Sequence, residues 1–175
     1  MSWYPANSLP ARRALPPQAL LAVLAVLLVA RAVHAAVTSC TVSATGPAFG
    51  IYDPLQGTAL TSTGTITTVC VVTSHSNTVT LGLSSGYSGN FSARQMSTLV
   101  GGTTYTLNYN LFQNAADTII WGDGTGGSQI ETVTLKRHGN DTTVTSNATV
   151  YGAIPGLQNP MPGSYTDTIT VTVNF

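Results

Sequence analysis

The C-terminal segment, residues 163–175, constrains the fold of this chain more than any other stretch, because apolar and polar residues alternate along it. A period of two is typical of a β-strand with one buried face. Threonines dominate the polar face, and the apolar face consists of Tyr165, Ile169, Val171, Val173 and Phe175. Such a strand either lies inside a sheet or leaves an edge that can pair with another chain. The sequence therefore predicts that function depends on what covers this strand.

The first 35 residues predict a secretory signal peptide. Arg12 and Arg13 precede an apolar run from Ala19 to Ala30, and Val33-His-Ala35 has the small residues of a cleavage site. The apolar run is shorter than the roughly 20 residues that a membrane-spanning helix needs, although an uncleaved anchor remains the alternative. We expect a signal peptide over residues 1–35, one exported domain over residues 36–175, and no membrane span after cleavage.

Charged residues are rare in the expected exported chain. The net charge of residues 36–175 is −3, from the basic residues Arg94, Lys136 and Arg137 and the acidic residues Asp53, Asp117, Asp123, Glu131, Asp141 and Asp167. Nucleic-acid binding needs a basic surface, which this composition does not supply. We therefore expect no nucleic-acid partner.

Both cysteines, Cys40 and Cys70, lie in the exported part of the chain. An even number of cysteines in an exported chain favours one disulfide. A metal pair or a catalytic thiol is the alternative, but neither has a His or Cys at ligand spacing. We expect no metal and no cofactor.

Thr/Val alternation recurs along the exported chain, and outside the signal no apolar residues recur at helical spacing. A turn-rich connection carries Phe49 and Tyr52, which we expect to pack on the core. Glycine, proline and asparagine turns between short strands indicate a single all-β sandwich. Besides the C-terminal segment, strands are predicted over 38–44, 64–72, 77–84, 105–112, 130–135 and 142–153.

Motifs that could carry chemistry are weak. Gly82-Leu-Ser-Ser-Gly86 matches the nucleophile-elbow pattern, but that motif requires a strand that turns into a helix, and here a Gly/Ser/Tyr loop follows. Trp121-Gly-Asp-Gly124 lacks the several oxygen ligands of a calcium loop and predicts a tight turn. His75 and His138 stand alone in polar stretches. We expect no catalytic residue and no enzyme activity, and Ser84 is interpreted as a strand-end hydroxyl.

An ordered set of short motifs resembles the spore coat protein U domain, the subunit domain of Csu-type archaic chaperone-usher pili. The resemblance covers essentially the whole exported chain, with both cysteines in place. The matching segments are Cys40-Thr-Val-Ser43, Phe49-Gly-Ile-Tyr-Asp-Pro54, Gly64-Thr-Ile-Thr-Thr-Val-Cys70, Arg94-Gln-Met96, Leu107-Asn-Tyr-Asn-Leu-Phe112, Trp121-Gly-Asp-Gly124, Tyr151-Gly-Ala-Ile-Pro155 and residues 163–175.

The resemblance implies an immunoglobulin-like β-sandwich that lacks its last strand. Such a domain is completed by a periplasmic pilus chaperone and then by the N-terminal extension of a neighbouring pilus subunit, with an outer-membrane usher as a further partner. The implied product is an adhesive surface fibre, or a spore-coat-like layer, reached through the periplasm. Cys40 and Cys70 would form the family disulfide. The strand-acceptor and chaperone-binding residues would be Tyr165, Ile169, Val171, Val173 and Phe175.

The N-terminus departs from the family pattern. Cleavage after Ala35 leaves only Ala36-Val-Thr-Ser39 ahead of Cys40, at most about 14 Å of chain, which is too short for an ordinary donor strand. This predicts an acceptor-only subunit at a fibre tip. The alternative function is a free-standing adhesive or carbohydrate-binding sandwich, whose loops 85–90 and 121–127 would contact ligand.

Overall fold

The structure, a computed structural model, describes residues 36–175, so the predicted signal peptide lies outside the described residues. This part of the chain is all-β, with one short 3₁₀ turn at Phe91–Ala93 and no α-helix. No helix within it is long and apolar enough to span a membrane. The strands are β1 (Val37–Thr45), β2 (Leu60–Val72), β3 (Ser76–Leu83), β4 (Arg94–Val100), β5 (Thr103–Phe112), β6 (Glu131–Lys136), β7 (Thr143–Ile154) and β8 (Val171–Asn174).

The strands form two antiparallel sheets. One has five strands in the order β1-β2-β7-β5-β4, and the other has three in the order β6-β3-β8. Alternate side chains of both sheets enter one core, because successive residues of a strand point to opposite faces. Val79, Leu81 and Leu83 of β3 lie in it with Leu107, Tyr109 and Leu111 of β5. The predicted immunoglobulin-like β-sandwich is confirmed.

The first predicted strands agree with the structure in position, but β2 is longer than expected. The prediction began at Gly64, whereas β2 begins at Leu60, because residues 60–63 continue the pairing with the end of β7 (Leu60 with Ile154, Thr63 with Tyr151). Phe49 and Tyr52 pack against the core as predicted. Tertiary pairing therefore extends a strand through a polar Leu-Thr-Ser-Thr run that has little hydrophobic signal of its own.

Strand β4 was not predicted. Its alternation is hidden because one of its inward positions is the charged residue Arg94, which is fully buried beside Met96. Strand prediction from a period of two depends on apolar residues at the inward positions, so an inward-facing arginine is taken for an outward-facing residue.

The C-terminal strand is shorter than predicted. Only Val171–Asn174 form a ladder, with β3, and upstream Thr166 makes a two-hydrogen-bond bridge to Ser97 of β4. The segment passes from the edge of one sheet to the edge of the other, so the residues between belong to neither ladder. The predicted alternation still holds in burial: the threonines are exposed, while Tyr165, Ile169, Val171 and Val173 pack against the core.

Candidate functional site: a groove beside the C-terminal strand

Strand β8 has a hydrogen-bonded neighbour on one side only. Leu81 and Leu83 of β3 pair with Val173 and Val171, and within residues 36–175 no strand pairs with the opposite edge of β8. Strand β1, at the edge of the other sheet, pairs with β2 alone and also contacts β8. No ladder joins β1 to β8, and this unpaired side of the sandwich is called the open side.

A groove with two adjoining cavities follows this open side. The first, named the strand-side cavity, has a volume of about 480 Å³ and lies between residues 44–49 and residues 165–171. Its floor consists of core side chains from both sheets: Ile66, Leu83, Met96, Tyr109, Leu111 and Val150. Its wall includes a short polar run at Thr166, Asp167 and Thr168.

The second, named the proline-side cavity, has a volume of about 650 Å³ and lies between residues 47–54 and residues 160–165. Pro47, Phe49, Met96 and Tyr165 line both cavities, so the two cavities adjoin each other. The two walls of the groove are antiparallel: one follows residues 44–54 forward, and the other follows residues 171–160 backward. Gly152 allows the ring of Phe49 to lie at the junction, since a Cβ there would be 2.7 Å from the ring.

The structure brings three of the five predicted strand-acceptor residues to this groove. Tyr165, Ile169 and Val171 line the strand-side cavity. Val173 is half-buried against the core but outside the cavity, and Phe175 lies beyond β8 with 60% of its surface exposed. The alternating residues up to Val171 thus line the groove, whereas the last ones lie beyond the cavity.

A polar contact anchors the groove wall where it leaves β4. The Tyr109 hydroxyl donates to Asp167 Oδ2 at 2.7 Å, and the backbone N–H groups of Tyr87 and Thr168 donate to Asp167 Oδ1 at 2.9 and 2.7 Å. Burial, helped by this hydrogen bond, raises the pKa of Tyr109 well above its ordinary value. Gly86, at φ +69°, is required here because a Cβ would overlap the Asp167 carboxylate. Asp167 thereby fixes the crossing segment against β5 and the 84–90 loop.

Arg94 is completely buried, whereas sequence reasoning placed it only within a family motif and assigned it no role in the site. Its guanidinium donates to the Ser84 carbonyl at 3.2 and 2.9 Å, to the Trp121 carbonyl at 2.6 Å, and to Asn110 Oδ1 at 2.7 Å. Burial lowers the pKa of Arg94 below its ordinary value. These bonds join β4, β5 and the end of β3, and they place Met96, two residues on, facing both cavities. The available signal was its place in the Arg94-Gln-Met96 motif, in an exported chain with only three basic residues.

The disulfide joins the groove wall to the rest of its sheet. Cys40 of β1 is bonded to Cys70 of β2, and the two residues are direct partners in the antiparallel ladder. Cys70 is completely buried. The bond therefore fixes β1 at one register beside the groove.

The other candidate residues do not form a site. Ser84 follows the end of β3, its hydroxyl accepts from Thr170 N–H at 2.9 Å, and turns rather than an α-helix follow it. Asp123 closes a tight turn by accepting from Thr125. His75 and His138 are exposed. In the described part of the chain no three His, Cys, Asp or Glu residues cluster in a way that could hold a metal ion.

Several solved structures are similar to this chain, and two of them are pilus subunits. A chain of the CsuC–CsuE chaperone–tip adhesion subunit pre-assembly complex, from archaic chaperone-usher Csu pili of Acinetobacter baumannii, is 23% identical with a TM-score of 0.46, and the match covers 78% of this chain but only 39% of that one. HdaB, the minor tip subunit of the E. coli Hda pilus, is 15% identical with a TM-score of 0.37, with 76% and 79% covered.

The comparison with curated proteins finds no match. The family model of the Spore Coat Protein U domain matches residues 24–172, which is most of the sequence. The chain therefore belongs to the Spore Coat Protein U domain family.

Proposed function

We propose that this protein is an exported structural subunit of a chaperone-usher surface fibre, with no enzymatic role, and that its groove accepts a β-strand from a partner. The proposal rests mainly on the free edge of β8, which lies beside an apolar groove. Family membership supports the same assignment. The partners would be a periplasmic chaperone, the usher at the outer membrane, and a neighbouring subunit at the cell surface.

The groove offers both kinds of contact that strand addition uses. The free edge of β8 supplies main-chain donors and acceptors, and the cavity beside it supplies a place for alternate side chains. Ile169 and Val171 form one wall, and Ile66, Leu83 and Leu111 lie beneath. Covering these side chains removes apolar surface from water, which contributes about 25 cal/mol per Å². A domain with this groove unfilled needs a chaperone strand until a subunit strand replaces it.

The start of β1 supports an acceptor-only role. Val37 is buried and pairs with Val72, and the carbonyl of Ala36 accepts from Thr73 N–H at 2.9 Å. Residues 36–39 therefore belong to the sandwich itself and are not available as a donor strand. Together with the expected cleavage after Ala35, this supports a position at a fibre tip, where the subunit would contribute to surface adhesion and biofilm formation.

Mixing purified components tests the proposal. The protein should co-purify from the periplasm with its chaperone, stay as single chaperone complexes when incubated alone, and form a heterodimer when a donor-bearing subunit is added. Val171→Lys should block both complexes because its side chain lines the groove. Thr172→Lys is the matched control, since the neighbouring side chain is exposed.

Two outcomes would contradict the proposal in different ways. A stable monomer that binds neither chaperone nor donor strand would favour the free-standing adhesive or carbohydrate-binding sandwich. Homopolymers grown from the protein alone would contradict the tip position but keep strand acceptance.

A further inference from the structure

The two cavities of the groove differ in chemistry. The strand-side cavity has a carboxylate, Asp167, and threonines on its wall. No charged residue lines the proline-side cavity, whose walls contain four prolines: Pro47, Pro54, Pro160 and Pro162. An occupant of the second cavity therefore meets mostly apolar surface and no charge.

The walls of the proline-side cavity are poorly suited to main-chain pairing. Proline has no N–H group to donate to a ladder. Strand β1 ends at Thr45, before this cavity, and β8 begins at Val171, on the far side of the strand-side cavity. A partner segment that continues from one cavity to the other thus leaves the strands β1 and β8, and its side chains contribute most of the binding there.

The shape of this cavity is held by its own hydrogen bonds. The Tyr52 hydroxyl donates to the Pro155 carbonyl at 2.9 Å and accepts from Gln158 N–H at 2.8 Å, while the Tyr165 hydroxyl donates to the Met161 carbonyl at 2.8 Å. Both hydroxyls are engaged with the protein, so the rings are left to offer apolar surface. The cavity volume of about 650 Å³ lies within the ordinary range for binding pockets.

We propose that the proline-side cavity binds one aromatic side chain of the partner segment, placed just outside the part that pairs with β8. This inference rests on the proposed strand acceptance. An aromatic guest fits because Phe49, Tyr52 and Tyr165 supply rings and Met96 and Met161 supply thioethers, both of which pack well against aromatic groups. Buried Leu107 and Ile154 close the floor.

Such an anchor fixes the register of the partner strand. A segment of alternating residues can shift by two positions and still present its apolar face, so alternation alone leaves the register open. A single bulky side chain bound in the proline-side cavity removes that freedom. The anchor thus determines which partner segments bind in one register.

Peptide binding to the purified exported protein tests the inference. The base probe is an alternating Thr-Val peptide of about nine residues, the length of an ordinary strand. Extended probes add Gly-Ser-Trp or Gly-Ser-Ala at one end or the other, because the partner direction is open. At one end, the Trp probe should bind about tenfold or more tightly than its Ala counterpart.

A filled cavity provides the control on the protein side. Ser164→Trp places a bulky side chain at an exposed position that lines the proline-side cavity. It should abolish the gain from the Trp probe and leave the base probe unaffected. Thr78→Trp, on an exposed position of β3 outside the groove, should keep the gain.

The outcomes separate this inference from the function on which it rests. If the base probe binds and Trp adds nothing at either end, the aromatic anchor is wrong and strand acceptance stands. If the gain survives in Ser164→Trp, the ring binds elsewhere and the anchor is again wrong. If no probe binds the wild-type protein, both the anchor and strand acceptance are wrong.

Discussion

Strand β2 and the C-terminal segment have the same Thr/Val alternation but opposite surroundings. β2 lies between two neighbours, pairs with β7 along almost its whole length, and is bonded to β1 through Cys40 and Cys70. The C-terminal segment has one ladder of four residues with β3 and one bridge to β4. The comparison shows that alternation reports which face of a strand is buried, whereas the number of neighbours is set by topology.

The largest effect is expected from removing β8, the strand with only one neighbour. Deleting Val171–Phe175 should abolish chaperone binding and export, because the deletion removes the free edge and uncovers Leu81 and Leu83. Periplasmic co-purification with the chaperone measures the effect, and Thr172→Ser, on the exposed face of β8, is the control. A truncated protein that still reached the cell surface would refute strand acceptance.

Replacing Arg94 tests how much the stability of the domain depends on its buried polar contacts. Arg94→Ala should lower the free energy of unfolding by about 3 to 5 kcal/mol, because the Ser84 and Trp121 carbonyls and Asn110 Oδ1 lose their donor and each buried unsatisfied acceptor costs about 1 to 3 kcal/mol. Denaturant unfolding measures this change. Lys136→Ala, at an exposed position of β6, should shift stability by less than about 0.5 kcal/mol. An Arg94→Ala protein of wild-type stability would show that water replaces these bonds.

Removing the disulfide between β1 and β2 should weaken the five-stranded sheet. Replacing both Cys40 and Cys70 by serine should lower the free energy of unfolding by roughly 3 to 4 kcal/mol, since the bond restricts the unfolded chain. Thermal unfolding with and without reductant measures the loss, and the serine variant should not respond to reductant. Normal periplasmic accumulation of the variant would indicate that the ladder holds β1 without the bond.

The smallest expected effect concerns Tyr109. Tyr109→Phe removes the bond to Asp167 and should cost about 1 to 3 kcal/mol at neutral pH. The raised pKa of Tyr109 means that the folded protein keeps a proton that an unfolded tyrosine loses above pH about 10, so wild-type stability should fall as pH rises beyond that value.

Denaturant unfolding between neutral and alkaline pH measures this dependence. Tyr109→Phe should reduce the alkaline loss of stability. Tyr87→Phe, at an exposed side chain, is the control for removing a tyrosine hydroxyl. An unchanged alkaline slope in Tyr109→Phe would show that other groups cause the loss.

The fold and one wall of the site could be predicted from the sequence, and the other wall could not. Alternation located the buried faces of β2, β3 and β5 and the packing of Ile169 and Val171. It missed β4, because buried Arg94 satisfies its charge through carbonyls of distant segments, which no local pattern reveals. The proline-side cavity was equally hidden, since Pro47–Pro54 and Pro160–Pro162 become neighbours only when β1 and the C-terminal segment run alongside each other.

The free edge of β8 determines how a bound partner strand would respond to a pulling force. Hydrogen bonds between antiparallel strands lie perpendicular to the strand axis. A partner segment seated along β8 and pulled from its end would load those bonds together, in shear, rather than peel them one after another. On its other side β8 would transmit the load to β3 through the ladder from Thr80 to Leu83. Such a contact would therefore resist a pull along the axis of β8 better than a pull across it.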